Sequence, residues 1–191
     1  MSTRPTTFIT PEEYLEIERK AEYKSEYYQG EMFAMAGASL RHARIISNLM
    51  RELGLQLMDR PCLVASNDLR LRVAPTGLYT YPDVMVICGE LQTADDQQDT
   101  VLNPTVIIEV LSDSTRDYDR GRKFQHYRTL PSLQEYLTVA QDAAHIEHWK
   151  RQQENLGLLA EFSDLGQSIE LASIGCVLSL ARVYHKVDWT V

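Results

Sequence analysis

Thr105-Val106-Ile107-Ile108-Glu109-Val110-Leu111 is the stretch whose reading decides the fold. It follows Asn103-Pro104 and gives way to the polar residues Ser112-Asp113-Ser114-Thr115. A half-exposed strand would alternate apolar and polar positions, so this near-continuous apolar run reads as a short strand covered on both faces. Glu109 breaks the run. An ionised carboxylate among such neighbours is costly unless it is paired or holds a metal. Tyr81-Pro82-Asp83-Val84-Met85-Val86-Ile87 repeats the anomaly, with an acid at the entrance of an apolar strand. Two acids on two buried strands predict a metal site built on a sheet. Two plainer readings stand beside this one: Asp83 as a solvated turn residue after a proline, and Glu109 as half of a buried ion pair.

The rest of the chain arranges itself around these strands. Thr10-Pro11-Glu12-Glu13 is a helix start, with a capping threonine and a proline at the first helical position, and predicts a helix over 10–24. Residues 26–35 read as a strand pair broken at Gln29-Gly30. A longer helix is expected over 39–58, its inward face marked by Ile46, Leu49, Met50, Leu53 and Leu57 and shared by His42. Strands are expected at 63–73, 82–88 and 105–111, then a helix over 117–130 capped by Ser114-Thr115 and ended before Pro131, then a strand at 135–140. Alternation at 145–150 and 158–171 predicts an antiparallel extension, and the chain from 178 a short helix or docked tail. A helix joining the third and fourth strands implies a crossover with some parallel pairing, while the first three can form an antiparallel meander. The expected fold is therefore an α/β (α+β) mixed sheet of core order αβββαβ. An N-terminal helix and hairpin and a C-terminal β extension are added to it, all in one domain over 1–191.

Composition narrows the function classes. The chain has 191 residues, 44% hydrophobic and 24% charged, which is the profile of a soluble globular domain. No apolar stretch approaches the roughly 18 residues of a membrane helix, and the first residues lack the apolar core of a signal peptide. Cys62, Cys88 and Cys176 are odd in number and far apart, so reduced core thiols and a cytoplasmic location are expected, with no membrane partner. The net charge of −8 counts against nucleic acid as a default partner, because phosphate contacts dominate such affinity. Local distribution softens that objection. Residues 41–51 hold Arg41, Arg44 and Arg51 and no acid, and residues 113–128 hold five bases against three acids. A basic rim on an acidic body is one reading of this.

Taken in order, the motifs resemble a known family. Ser25-Glu26-Tyr27-Tyr28-Gln29-Gly30-Glu31, His42, Tyr81-Pro82-Asp83-Val84, Ile108-Glu109-Val110-Leu111-Ser112 and Asp119-Arg120-Gly121-Arg122-Lys123 with Tyr127 resemble the PD-(D/E)xK nuclease superfamily. Within it they are most similar to the Uma-two-type restriction endonucleases, over roughly residues 10–185. The resemblance implies a restriction-endonuclease-like fold and a metal-dependent DNA endonuclease. Asp83 and Glu109 would be its metal ligands, holding Mg²⁺ or, as a substitute, Mn²⁺. The chemistry agrees with that assignment: hydrolysing a phosphodiester needs charge stabilisation and a deprotonated water, and a hard cation held by carboxylates supplies both. The superfamily places a lysine two residues after the second acid, where this chain has Leu111. In this branch the resemblance puts the lysine on the following helix, at Lys123, as base or charge stabiliser. A surface pair between Lys123 and Asp119 is the plainer reading. Glu26 is a candidate third ligand or water activator, and His42 a candidate phosphate or water contact. Each could equally be satisfied locally. His145 and His148 face opposite sides of a strand and cannot share one ion, and Asp68 is a possible accessory acid. A homodimer is expected, as for nucleases that cut both strands. The alternative function is a nuclease-fold protein with little or no cleavage, serving as a nucleic-acid-binding or protein-interaction module.

Overall fold

The structure is a computed structural model and describes residues 8–35, 37–112, 115–154 and 156–189. Helix α1 (Pro11–Glu18) begins in a complete capping box: Thr10 accepts from the Glu13 amide, and the Glu13 carboxylate accepts from the Thr10 amide. It stops well short of residue 24. Glu18 is buried, where its carboxylate accepts from the Ser25 amide and the Tyr81 hydroxyl, so the chain must turn there to enter the next strand. Strands β1 (Ser25–Tyr28) and β2 (Glu31–Ala34) form the expected hairpin. Gln29 and Gly30 both have positive φ (49° and 86°), the backbone that a two-residue hairpin turn with right-handed twist requires. Helix α2 (Leu40–Leu57) follows, capped by the Ser39 hydroxyl on the His42 amide.

The expected strand at 63–73 is two strands in two different sheets. β3 (Cys62–Ser66) and β4 (Arg70–Val73) are separated by a turn at 67–69, and β5 (Leu78–Thr80) returns antiparallel to β4. β6 (Val84–Cys88), β7 (Thr100–Val101) and β8 (Val106–Leu111) come next. The helical segment after β8 runs as α3 (Arg116–Tyr118), a π-helical turn (Asp119–Lys123) and α4 (Phe124–Tyr127). Thr115 occupies its N-cap without a side-chain capping bond, and Ser114 lies outside the described residues, as does the N-terminal stretch before Phe8. β9 (Glu135–Ala140), β10 (Ile146–Gln153), β11 (Leu156–Phe162), β12 (Ser168–Leu171), β13 (Cys176–Ser179) and α5 (Leu180–Val183) complete the chain.

The central six-stranded sheet has the order β11-β10-β9-β8-β6-β3. β3, β6 and β8 are antiparallel neighbours, β8 and β9 are parallel across the helical crossover, and β10 and β11 extend the sheet antiparallel. This is the expected mixed core of order αβββαβ. A second sheet, β2-β1-β5-β4-β7, lies beside it, and β12-β13 form a separate hairpin. Alternation along the central strands explains why β8 is apolar on both faces. Val84, Val86, Val106, Ile108, Val110, Leu137 and Val139 pack under α2, α5 and the β12-β13 hairpin. Met85, Ile87, Ile107 and Tyr136 pack on the other side, with the second sheet and Tyr127. On α2 the deepest residues are Ile45, Leu49 and Leu53, so the inward face is centred one residue earlier than Ile46 and Met50, which flank it.

The cysteine expectation is corrected. Cys62 and Cys88 are joined as a disulfide, and only Cys176 is a free, buried thiol. The cause is register: the β3–β6 ladder sets Cys62 directly opposite Cys88, with a Cα–Cα distance of 4.1 Å. Spacing along the chain carries no trace of this. Among the described residues no helix is long and apolar enough to cross a membrane.

Candidate active site

β6 and β8 pair so that Val84 faces Ile108, which brings Asp83 to the end of β6 beside Glu109. The two acids are locked to each other's backbone. The Asp83 amide donates to Glu109 Oε2 at 3.3 Å, and the Val110 amide donates to Asp83 Oδ2 at 2.8 Å. Asp83 Oδ2 also meets His42 Nε2 at 3.1 Å, since the first turn of α2 overlies the end of β6. Burial draws the imidazole pKa down, but the hydrogen bond and charge of Asp83 outweigh it and leave His42 raised.

From the opposite side the helical crossover delivers Lys123. Its Nζ lies 3.1 Å from Glu109 Oε1, 3.1 Å from Glu26 Oε1 and 3.4 Å from Asp119 Oδ1. The ammonium is thus buried among three carboxylates, with Asp83 a fourth acid behind Glu109. Of these five groups none is more than 8% exposed. Glu26 reaches the cluster because β1 pairs with β5. It accepts from Thr80 at 2.5 Å on one oxygen and from the Tyr118 hydroxyl at 3.0 Å on the other. Tyr127, fully buried, donates to Glu109 Oε1 at 2.7 Å, and the Tyr136 hydroxyl donates to the Asp119 carbonyl at 2.9 Å.

Four carboxylates around one lysine cannot all be comfortable. Burial pushes the Glu109 carboxyl well above the ordinary glutamate range; Lys123 opposes this, while Asp119 and Asp83 add to it. Asp119 is raised for the same reason, burial first, with Lys123 and Thr115 opposing. For Lys123 burial alone would favour the neutral amine, but Glu109 and the other surrounding groups outweigh it and hold the amine well above its ordinary value. The π-helical turn enables this gathering. Its i→i+5 hydrogen bonding stacks residues five apart, so Tyr118 sits over Lys123, with Nζ 5.8 Å from the ring centre. An α-helical reading of the sequence puts Asp119, Lys123 and Tyr127 on one face but leaves Tyr118 out. Thr80 was equally invisible, on a three-residue strand too short to show a period.

Asp83, Glu109, Lys123, Glu26 and His42 are therefore brought to one place, and the surface-pair reading of Lys123 does not hold. Other candidates lie elsewhere. Asp68 is on an exposed turn with Lys24 and Ser66 as partners. His145 contacts Ser163. His148 is bound to Glu135 on β9. Among the described residues no group of three or more His, Cys, Asp or Glu side chains is set to hold a metal on its own. The donor set still suits a hard cation: Mg²⁺ commonly takes one or two carboxylates and completes its shell with water and substrate phosphate.

Three comparisons bear on this arrangement. The model of the Uma2 family, described as "Putative restriction endonuclease", matches residues 11–181. Two proteins of Synechocystis sp. (strain PCC 6803), each called an uncharacterized protein, are similar along almost their whole length. The first, sll1609, is 42% identical over 90% of this chain and 96% of its own, and the second, slr1290, is 33% identical over 95% and 94%. A crystal structure described as a putative nuclease belonging to DUF820, from Anabaena variabilis, superposes with a TM-score of 0.74 over 92% of this chain and 97% of its own, at 18% identity. That likeness is one of fold.

Proposed function

The chain belongs to the Uma2 family of putative restriction endonucleases, and from that membership and the geometry around Lys123 we propose that it is a metal-dependent endonuclease that hydrolyses phosphodiester bonds in DNA. One observation carries this reading: Lys123 delivers from the helix, to within 3.1 Å of Glu109, the cation that the strand lacks at Leu111. Asp83 and Glu109 would hold Mg²⁺, or Mn²⁺ in its place, and the bound ion would supply Lewis-acid stabilisation and an acidified water. Lys123 counters negative charge developing on the phosphate. Glu26, anchored by Thr80 and Tyr118, orients Lys123 and can accept a proton from water. His42 fixes the rotamer of Asp83 from behind. A homodimer is part of this reading. β11 is an edge strand of the central sheet and exposes Leu156, Leu158 and Leu159, which invites pairing with a second copy.

Supercoiled plasmid incubated with the purified chain and Mg²⁺ tests the proposal. Nicking or linearisation should be lost in Glu109→Gln and should require the metal. Calorimetric titration should show weaker Mg²⁺ or Mn²⁺ binding in Asp83→Asn and Glu109→Gln than in wild type. Equal affinity in all three proteins would exclude the shared site. Light scattering that gives a monomer mass with and without DNA would remove the dimer.

A second reading, a nuclease-fold module that binds without cutting, is favoured by the closure of the site, in which Lys123 already neutralises Glu109 and only 5% of the lysine is exposed. Metal-independent DNA binding without any cleavage, on a preparation free of host nucleases, would select it.

A further inference from the structure

The outer flank of α2 differs in charge from the body of the protein. Arg41, Arg44 and Arg51 stand along it with Lys186 and His185 of the C-terminal segment beside them, and two adjoining grooves of about 500 Å³ and 420 Å³ share Arg44 and Lys186 as walls. Three acids lie close. Glu52 is buried against Arg51 and Arg182, Asp142 is paired with Arg116 at 2.7 Å, and Asp188 contributes its backbone carbonyl to Arg41. Glu52 and Asp142 each face a base, and Arg51 is itself one partner of Glu52. Arg44 and Lys186 form no ion pair with any described residue, and Lys186 is exposed, on a positive-φ backbone (60°). In a chain of net charge −8 this trough is a local reversal of sign.

We infer that this trough on the flank of α2 is the surface that carries the phosphate backbone of duplex DNA to the Asp83–Glu109 site. The inference rests on the endonuclease reading and assigns its substrate-binding face. Two features favour DNA over an acidic protein. At 1.5 Å per residue, Arg41 to Arg51 spans about 15 Å of helix. One DNA strand places a phosphate about every 3.4 Å along its axis, so the row covers roughly four of them. The row also leads to the chemistry, because His42, the residue after Arg41, touches Asp83. A strand lying on Arg51 and Arg44 therefore runs toward the first turn of α2, whose inward face holds Asp83 through His42.

Fluorescence anisotropy with a labelled mixed-sequence 20-bp duplex, without divalent metal and across a sodium chloride series, tests the assignment on the full chain. Wild type should bind with a steep salt dependence. Arg44→Ala/Lys186→Ala should bind at least about tenfold more weakly and lower the slope of log K against log salt by about two, since each lost phosphate contact is worth roughly 0.9. Arg44→Glu/Lys186→Glu should weaken binding further, with an unchanged melting temperature showing that both variants fold. Unchanged affinity and slope in the alanine variant would overturn the inference, as would a wild-type chain that does not bind the duplex. Plasmid cleavage separates this from the reading beneath it. Cleavage lost in Glu109→Gln while the alanine variant binds DNA normally would leave the endonuclease reading standing and the trough refuted. Binding through the trough with no cleavage at any metal concentration would do the reverse.

Discussion

Two glutamates sit buried on adjacent parallel strands and behave in opposite ways. Glu135, at the start of β9, is fully buried; one oxygen meets His148 at 2.5 Å, and the other accepts from the Ser173 amide at 2.8 Å. Burial pushes its pKa up, but those partners outweigh burial and leave it lowered. Glu109, on β8, has a lysine, a tyrosine and an amide as partners and is nonetheless raised. The difference lies in the neighbours. Glu135 faces only donors, whereas Glu109 shares its one lysine with Glu26 and Asp119 and has Asp83 alongside. A buried acid with a complete set of partners holds a structure together. Acids crowded around too little positive charge mark a candidate functional site, which under the proposed reading takes a metal ion.

His148→Ala should give the largest change and should touch stability alone. Glu135 would be left as an unpaired buried charge, at a cost of about 3 kcal/mol or more. Urea titration measures this, and cleavage per folded molecule should not change. Lys123→Ala should do the opposite kind of damage. Cleavage should fall at least about a hundredfold, the lower range for a lost charge-stabilising group, with metal affinity little altered. Asp119→Ala should cost much less. A Lys123→Ala chain that cuts at the wild-type rate would take the lysine out of the mechanism and turn preference to the non-cleaving reading.

Conservative amides sharpen the contrast. Glu135→Gln should lower stability by about 1–2 kcal/mol, as charge-assisted hydrogen bonds become ordinary ones. Glu109→Gln should leave the melting temperature unchanged or raise it, because a desolvated charge among like charges is removed. Melts of the two variants with the same sign would break the comparison. The smallest effect concerns pH. Since Glu135 is lowered on folding, its contribution is present above the unfolded value of 4.5 and lost as pH falls through the folded one. The stability gap between wild type and Glu135→Gln should therefore narrow below pH 4.5, measured by urea titration in acid buffers.

Much of the frame was legible in the residues. Helix α2 was read to within a residue or so at each end because its period, its serine cap and its length agree. β8 was read because seven apolar-rich residues between a proline and a polar stretch leave few alternatives. Asp83 and Glu109 stood out because acids are rare in such runs. What escaped was decided across the chain. Residues 63–73 look like one strand because both halves are apolar, yet the turn at 67–69 sends them to different sheets. β5 and β7 have three and two residues and exist only through their partners. The Cys62–Cys88 pairing depends on the β3–β6 register, which no spacing rule reveals. Tyr118 depends on a helix that is locally not α.

That π-helical turn amounts to an α-helix carrying one residue too many, with the surplus absorbed between Asp119 and Lys123. Gly121, in its middle, has open space where a Cβ would stand, so crowding does not dictate the bulge. The lesion that acts on it most selectively is therefore a deletion. Removing one residue there would let the segment rewind as a regular helix, with Lys123, Tyr127 and the core contacts kept in phase. Tyr118 and the two helical residues before it, Arg116 and Asp117, would swing by about 100°, the angle of one α-helical residue. Glu26 would lose one of its anchors and Lys123 its aromatic neighbour while the sheet stayed intact. A length polymorphism at this spot would thus retune the site as a unit, a change that no single side-chain replacement reproduces.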